Sequence, residues 1–140
     1  MPKMGEIISF ASRKAARDAE AETDEYDTGM RLDLNHYLIK SPQTTYFVRV
    51  AGDTMTGAGI YAGDVLIVDR AAAHKRGSVI IALVNGELCV KRVRYGAGGE
   101  TWLEADNPAY EPTLIGAADA FAVWGVVMYG VHRVASGGVK

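Results

Sequence analysis

The chain has 140 residues and a mass of 15.0 kDa, enough for one domain with a proper core and no need of disulfides or metals. Lys and Arg number 15 against 17 Asp and Glu, a net charge of −2 that argues against a protein built mainly to grip nucleic-acid backbone. A single cysteine, Cys89, excludes an internal disulfide and a cysteine-rich zinc site, and no apolar run is long enough to span a bilayer or to serve as a signal peptide, so a cytoplasmic protein is expected.

Residues 1–30 differ in composition from the rest. They carry Lys3, Arg13, Lys14 and Arg17 against seven acidic residues, with large apolar side chains mainly at Ile7, Ile8 and Phe10. Ala11 to Ala21 has helical propensity, but so short an isolated helix is marginal in water. The expectation is a short flexible N-terminal arm, free or docked on its own domain or a partner, followed by one domain over 31–140. LNHYLIK, ahead of the first clear strand, reads as a helical turn or an extended lead-in.

From Tyr46 onward the chain alternates short apolar runs with Gly and Asp. TYFVRV, VLIVD, SVIIALV, ELCVKRV and FAVWGVVMYGV are rich in β-branched and aromatic residues and read as strands. No long amphipathic helix is expected after Lys40, so the fold class is mainly β. Asn85-Gly86 predicts a two-residue type I′ hairpin. That turn pairs Val84 with Glu87, Ala82 with Cys89 and Ile80 with Lys91. Cys89, Lys91, Val93 and Tyr95 then share one face, while Arg92 and Arg94 point the other way. A lysine among apolar neighbours loses hydration of its ammonium, and the neutral amine is the form that serves as a general base. A strand lysine can instead pack its stem and send the amine to water.

Gly52 to Gly63 is the second informative stretch. A hydroxyl residue, Thr54, follows a strand in a glycine-rich loop, where backbone N–H groups can face a developing oxyanion. The ordinary alternative is a strand–loop–strand connection with Thr54 bonding its own backbone. His36, His74 and His132 lack ligand spacing, so neither a metal nor a cofactor is expected. Asp53, Asp64 and Asp69 suit turn closure, Trp102 and Trp124 a core or an interface, and Cys89 a buried apolar position beside Lys91.

Thr54 and Lys91 together make a nucleophile–base pair that needs no histidine or carboxylate. The string GDTM…GI..GD.LIVDR…G.VIIA.V.GE..VKR…NPAY.P resembles the LexA/UmuD autopeptidases, which use a Ser-Lys dyad. The resemblance runs from about Arg31 to Val131, and RLDLNHYLIKSPQTTYFVRVAGD is similar to the UmuD lead-in. It implies a LexA/UmuD-type peptidase domain of twisted antiparallel strands, with Thr54 as nucleophile and Lys91 as base. Gly52, Asp53 and Met55 would then be oxyanion or loop support. It also implies an SOS-response homodimer that regulates a UmuC-like Y-family translesion DNA polymerase after self-cleavage stimulated by RecA-nucleoprotein filaments. A LexA-type repressor is not expected, because no helix-turn-helix pattern precedes the match, and a signal-peptidase-like enzyme would need a membrane anchor.

Two departures stand out. The family has serine where Thr54 stands, and the extra methyl makes the alcohol bulkier and stiffer at χ1. The family cuts at Ala-Gly or Cys-Gly, whereas its spacing places the bond here near Asp18-Ala19, and the glycines before residue 50 lie in Met4-Gly5 and Thr28-Gly29. Both departures point towards slow or absent self-cleavage, and so to the alternative function, a catalytically weak or inactive module that regulates a polymerase by docking alone, while Lys91 points the other way.

Overall fold

The computed structural model describes residues 7–10 and 32–135. Among the described residues, eight antiparallel strands form one sheet: β1 (Ile7–Phe10), β2 (Thr45–Val50), β3 (Val65–Asp69), β4 (Val79–Val84), β5 (Glu87–Tyr95), β6 (Thr101–Glu104), β7 (Thr113–Leu114) and β8 (Phe121–Val131). Their spatial order is β1-β2-β3-β8-β4-β5-β6-β7. The five runs read as strands are all present, and the fold is mainly β as expected. The one described α-helix, α1 (Leu34–Leu38), is a single turn started by Asp33, whose side chain accepts from the Asn35 N–H at 3.0 Å.

Alternation along the strands splits the core. On one face Val48 and Val50 of β2, Leu66 and Val68 of β3, Ile81 of β4 and Val90 of β5 meet in one cluster, joined by Met55 and Ile60 from the loop after β2. Strands so far apart in the order share a cluster because the sheet curls, which also brings β1 towards β5. The opposite face holds Ile80, Ala82, Val84, Cys89, Val93 and Leu103, while Leu38 of α1 and Ile39 just after it cover Ile67.

The β4–β5 hairpin has the predicted register, with Ile80 opposite Lys91, Ala82 opposite Cys89 and Val84 opposite Glu87. Asn85 and Gly86 both have positive φ, 50° and 85°, as a type I′ turn demands. Asn85 does more than turn the chain. Its Oδ1 accepts from the Ala120 N–H at 2.9 Å and its Nδ2 donates to Asp119 at 3.0 Å, tying the hairpin tip to the start of β8.

The last strand in sequence lies inside the sheet, paired to β3 by its second half and to β4 by its first. Register shifts at both pairings bend it. Gly125 allows the close approach of β3, since a Cβ there would sit 2.6 Å from Val68 Cγ1. The run FAVWGVVMYGV is thus a strand, as expected. Gly125 and Val126 are buried at its middle, and its exposed large apolar side chains are Met128, Tyr129 and Val131.

Part of the arm pairs with the domain: β1 runs antiparallel to β2, with Ile7 opposite Val50 and Phe10 opposite Val48. Asp18 and Ala19 lie outside the described residues.

Candidate active site

The loop from Gly52 to Ile60 carries the candidate nucleophile. Met55 is its anchor, a fully buried side chain inserted in the main core cluster. The Ala58 and Ile60 N–H groups both donate to the Met55 carbonyl, at 3.0 and 3.1 Å, closing a 3-10 turn over Thr56–Ala58. An anchored neighbour leaves Thr54 little freedom, and its residue exposure is 1%. Its Oγ1 donates to the carbonyl of Val90 at 3.3 Å.

That contact sets the loop against β5. Strand β6 pairs with Arg92 to Tyr95, and the Thr54 loop meets β5 just before that stretch, at Val90. Lys91, the residue after the carbonyl that Thr54 touches, is 4% exposed. It shares its strand face with Cys89 and Val93, and Ile80 lies directly across on β4. The structure therefore brings the Thr54 hydroxyl to the backbone next to Lys91 and buries both residues. A hydroxyl and a lysine side chain are groups able to supply a nucleophile and a base.

Asp53 and Gly52 flank this pair. Asp53 departs from the turn-closing expectation, for its carboxylate accepts from the Tyr110 hydroxyl and its carbonyl from Asn107 Nδ2 at 2.7 Å. The Asn107-Pro108-Ala109-Tyr110 segment is thus a prop under the Thr54 loop. Asp106, just before it, also clasps the loop. Its carbonyl accepts from the Gly57 N–H at 2.6 Å and its N–H donates to Met55 Sδ at 3.3 Å. The sequence marks Asn107 to Pro112 as a motif but carries no signal for what it touches. Asp64 and Asp69 do close turns, accepting from the Tyr61 N–H at 2.8 Å and the Ala71 N–H at 2.9 Å.

The remaining singled-out residues sit elsewhere. His74 bonds the Tyr95 hydroxyl at 2.7 Å, and His132 bonds Asp64 at 2.7 Å. Among the described residues, no three His, Cys, Asp or Glu side chains converge as metal ligands. Cys89 is buried in the apolar cluster beside Lys91's strand position. Trp124 packs edge-on to Tyr46 at 5.4 Å under the Arg70 guanidinium, and Trp102 lies on β6 opposite Leu114. No described helix is long and apolar enough to cross a membrane.

Residues 7–128 match the Peptidase S24-like family. The chain belongs to that family. Among similar proteins, Protein ImpA of Escherichia coli is 36% identical over 124 residues, covering 89% of this chain and 82% of that protein. Protein SamA of Salmonella typhimurium is 38% identical over 109 residues, covering 78% of this chain and 74% of its own length. Protein MucA of Escherichia coli is 42% identical over 62 residues, 44% of this chain and 42% of that protein. The Peptidase S24-like match spans β1 to β8, including the Thr54 loop, the β4–β5 hairpin and the Asn107 segment.

Proposed function

We propose that this S24-like protein is a UmuD-like, self-cleaving regulator with Thr54 as nucleophile and Lys91 as general base. The observation that supports it is the placement of a buried threonine hydroxyl against the backbone carbonyl next to a buried lysine. The Thr54 Oγ1 attacks the carbonyl carbon of the scissile bond while the Lys91 amine takes the hydroxyl proton. Backbone N–H groups of the Gly52–Met55 loop receive the oxyanion. Collapse breaks the C–N bond, and the proton returns from Lys91 to the departing amine, leaving an ester on Thr54. Water, with Lys91 again as base, hydrolyses that ester and regenerates the hydroxyl.

The substrate in this reading is the chain's own arm, residues 1–30, at a bond near Asp18-Ala19, and 31–140 is the peptidase domain. Cleavage, stimulated by RecA-nucleoprotein filaments, adjusts how a cytoplasmic homodimer regulates a UmuC-like Y-family polymerase in SOS mutagenesis. A second reading, docking without cleavage, draws on the tight enclosure of Thr54, where the methyl stiffens the side chain. Incubating the purified chain at alkaline pH and measuring its intact mass separates the two. Arm loss that Lys91→Ala abolishes supports the dyad, and an intact chain at every pH favours docking alone.

A further inference from the structure

Arg92 follows Lys91 on β5 and projects from the opposite face of the strand. Its Nη2 meets Asp106 Oδ2 at 2.7 Å, and its Nη1 donates to the Gly77 carbonyl at 2.7 Å. The guanidinium thus pins Asp106 from one side. The Asp106 main chain grips the nucleophile loop from the other, through Gly57 N–H at 2.6 Å and Met55 Sδ at 3.3 Å. Gly57 is fitted to this contact. A Cβ there would stand 2.6 Å from the Asp106 carbonyl oxygen and 3.3 Å from its carbon, both of them backbone atoms. The neighbours of Lys91 and Thr54 in sequence are therefore joined by a second, rigid route.

We propose that Arg92 and Asp106 form a positioning strut that holds the Thr54 loop in register with Lys91, an inference that rests on the dyad reading. The strut is placed to set geometry rather than overall stability. Its side chains are 28% and 37% exposed, and partly exposed ion pairs add little to folding. Geometry is a different matter, since a displacement of ~1 Å at reacting atoms costs roughly 100-fold in rate. Two donors in a planar fork serve two acceptors at once, which a lysine's point charge does less well. Neither residue touches the substrate in this scheme, so both are positioning residues.

The test uses the full chain with Thr54→Ser, Asp18→Ala and Ala19→Gly as the cutting parent. Into it go Arg92→Ala, Arg92→Lys, Asp106→Ala and Gly57→Ala. Cleavage is followed by intact mass across pH, and residue-resolved amide hydrogen exchange reads the Gly57 N–H. Arg92→Ala should slow cleavage about 100-fold at every pH without changing the shape of the pH profile. It should speed Gly57 exchange about tenfold, with the rest of the sheet as protected as before. Arg92→Lys should fall between parent and Ala in both readouts. Asp106→Ala should match Arg92→Ala, and Gly57→Ala should slow cleavage despite leaving the ion pair intact. Unchanged Gly57 protection in Arg92→Ala would overturn the proposal, and so would faster exchange with cleavage at the parental rate. A parent that does not cut at all removes the dyad reading and the strut's role with it. That outcome is distinct from a cutting parent whose Arg92→Ala variant cuts equally well.

Discussion

Replacing Ile80 with alanine tests the wall behind Lys91. Ile80 is fully buried, sits directly across from Lys91, and shares its cluster with Ala82, Cys89, Val93 and Leu103. The substitution deletes three carbons, worth about 2.4 kcal/mol at ~0.8 kcal/mol per buried CH₂. Sheet backbone on both sides of β4 limits collapse, so a residual void of roughly 40 Å³ adds about 1 kcal/mol. The expected loss is about 3.5 kcal/mol, and Ile80→Val should lose only about 1 kcal/mol. For a chain of this size the alanine variant should melt roughly 10–15 °C lower. Urea unfolding with the slope held fixed, supported by thermal melts, measures both steps of the series. In the cutting parent, cleavage at a temperature where the variant stays folded should also slow, because water gains access to the Lys91 amine. A loss below about 1 kcal/mol for Ile80→Ala would show that Ile80 is not sealed in the core. The account of an enclosed Lys91 would then fail.

Three further outcomes are expected. The Asp119 carboxyl lies below its ordinary titration range, because the Asn85 side-chain amide and the Gly116 N–H donate to it. That depression adds stability above the unfolded-state value and loses it as pH falls through the folded one, so Asn85→Ala should move the Asp119 titration upward in a carbon-detected NMR series. Thr54→Val keeps the shape and removes the hydroxyl bonded to Val90, so it should shift stability by about 1 kcal/mol or less while abolishing any arm loss seen by mass. The exposed Met128, Tyr129 and Val131 should lie in a dimer contact, so a Tyr129→Glu and Val131→Glu double variant should run as monomer in light scattering at concentrations where the parent is dimeric. A parent that is itself monomeric would refute the dimer.

Local chemistry was the legible part of this fold. The Asn85-Gly86 turn has a short-range cause, so the register that puts Ile80 opposite Lys91 could be read from seven residues on either side. The same turn residue also binds Asp119 and Ala120, more than thirty positions away, and no periodicity encodes that. β8 shows the same limit. Its apolar run announces a strand, but a position between β3 and β4 depends on pairings with residues far earlier in the chain. β6 and β7 are short and polar enough to leave no strand signal. At the site, Thr54 and Lys91 stood out through residue type and motif, whereas the props came from spatial neighbours. Asn107 and Tyr110 reach Asp53 across more than fifty residues, and the need for glycine at 57 exists only because Asp106 packs against it.

The most direct test of the central claim is the intact mass of the full chain carrying Thr54→Ser, Asp18→Ala and Ala19→Gly, incubated at alkaline pH and, separately, with RecA filaments. The first change restores a primary alcohol in a space that already holds a threonine, and the other two install an Ala-Gly bond where the arm is expected to be cut. Two fragments divided between residues 18 and 19 are expected, and none when Lys91→Ala is added. A chain that keeps its full mass under both conditions would contradict the assignment of Thr54 and Lys91 as a nucleophile and its base.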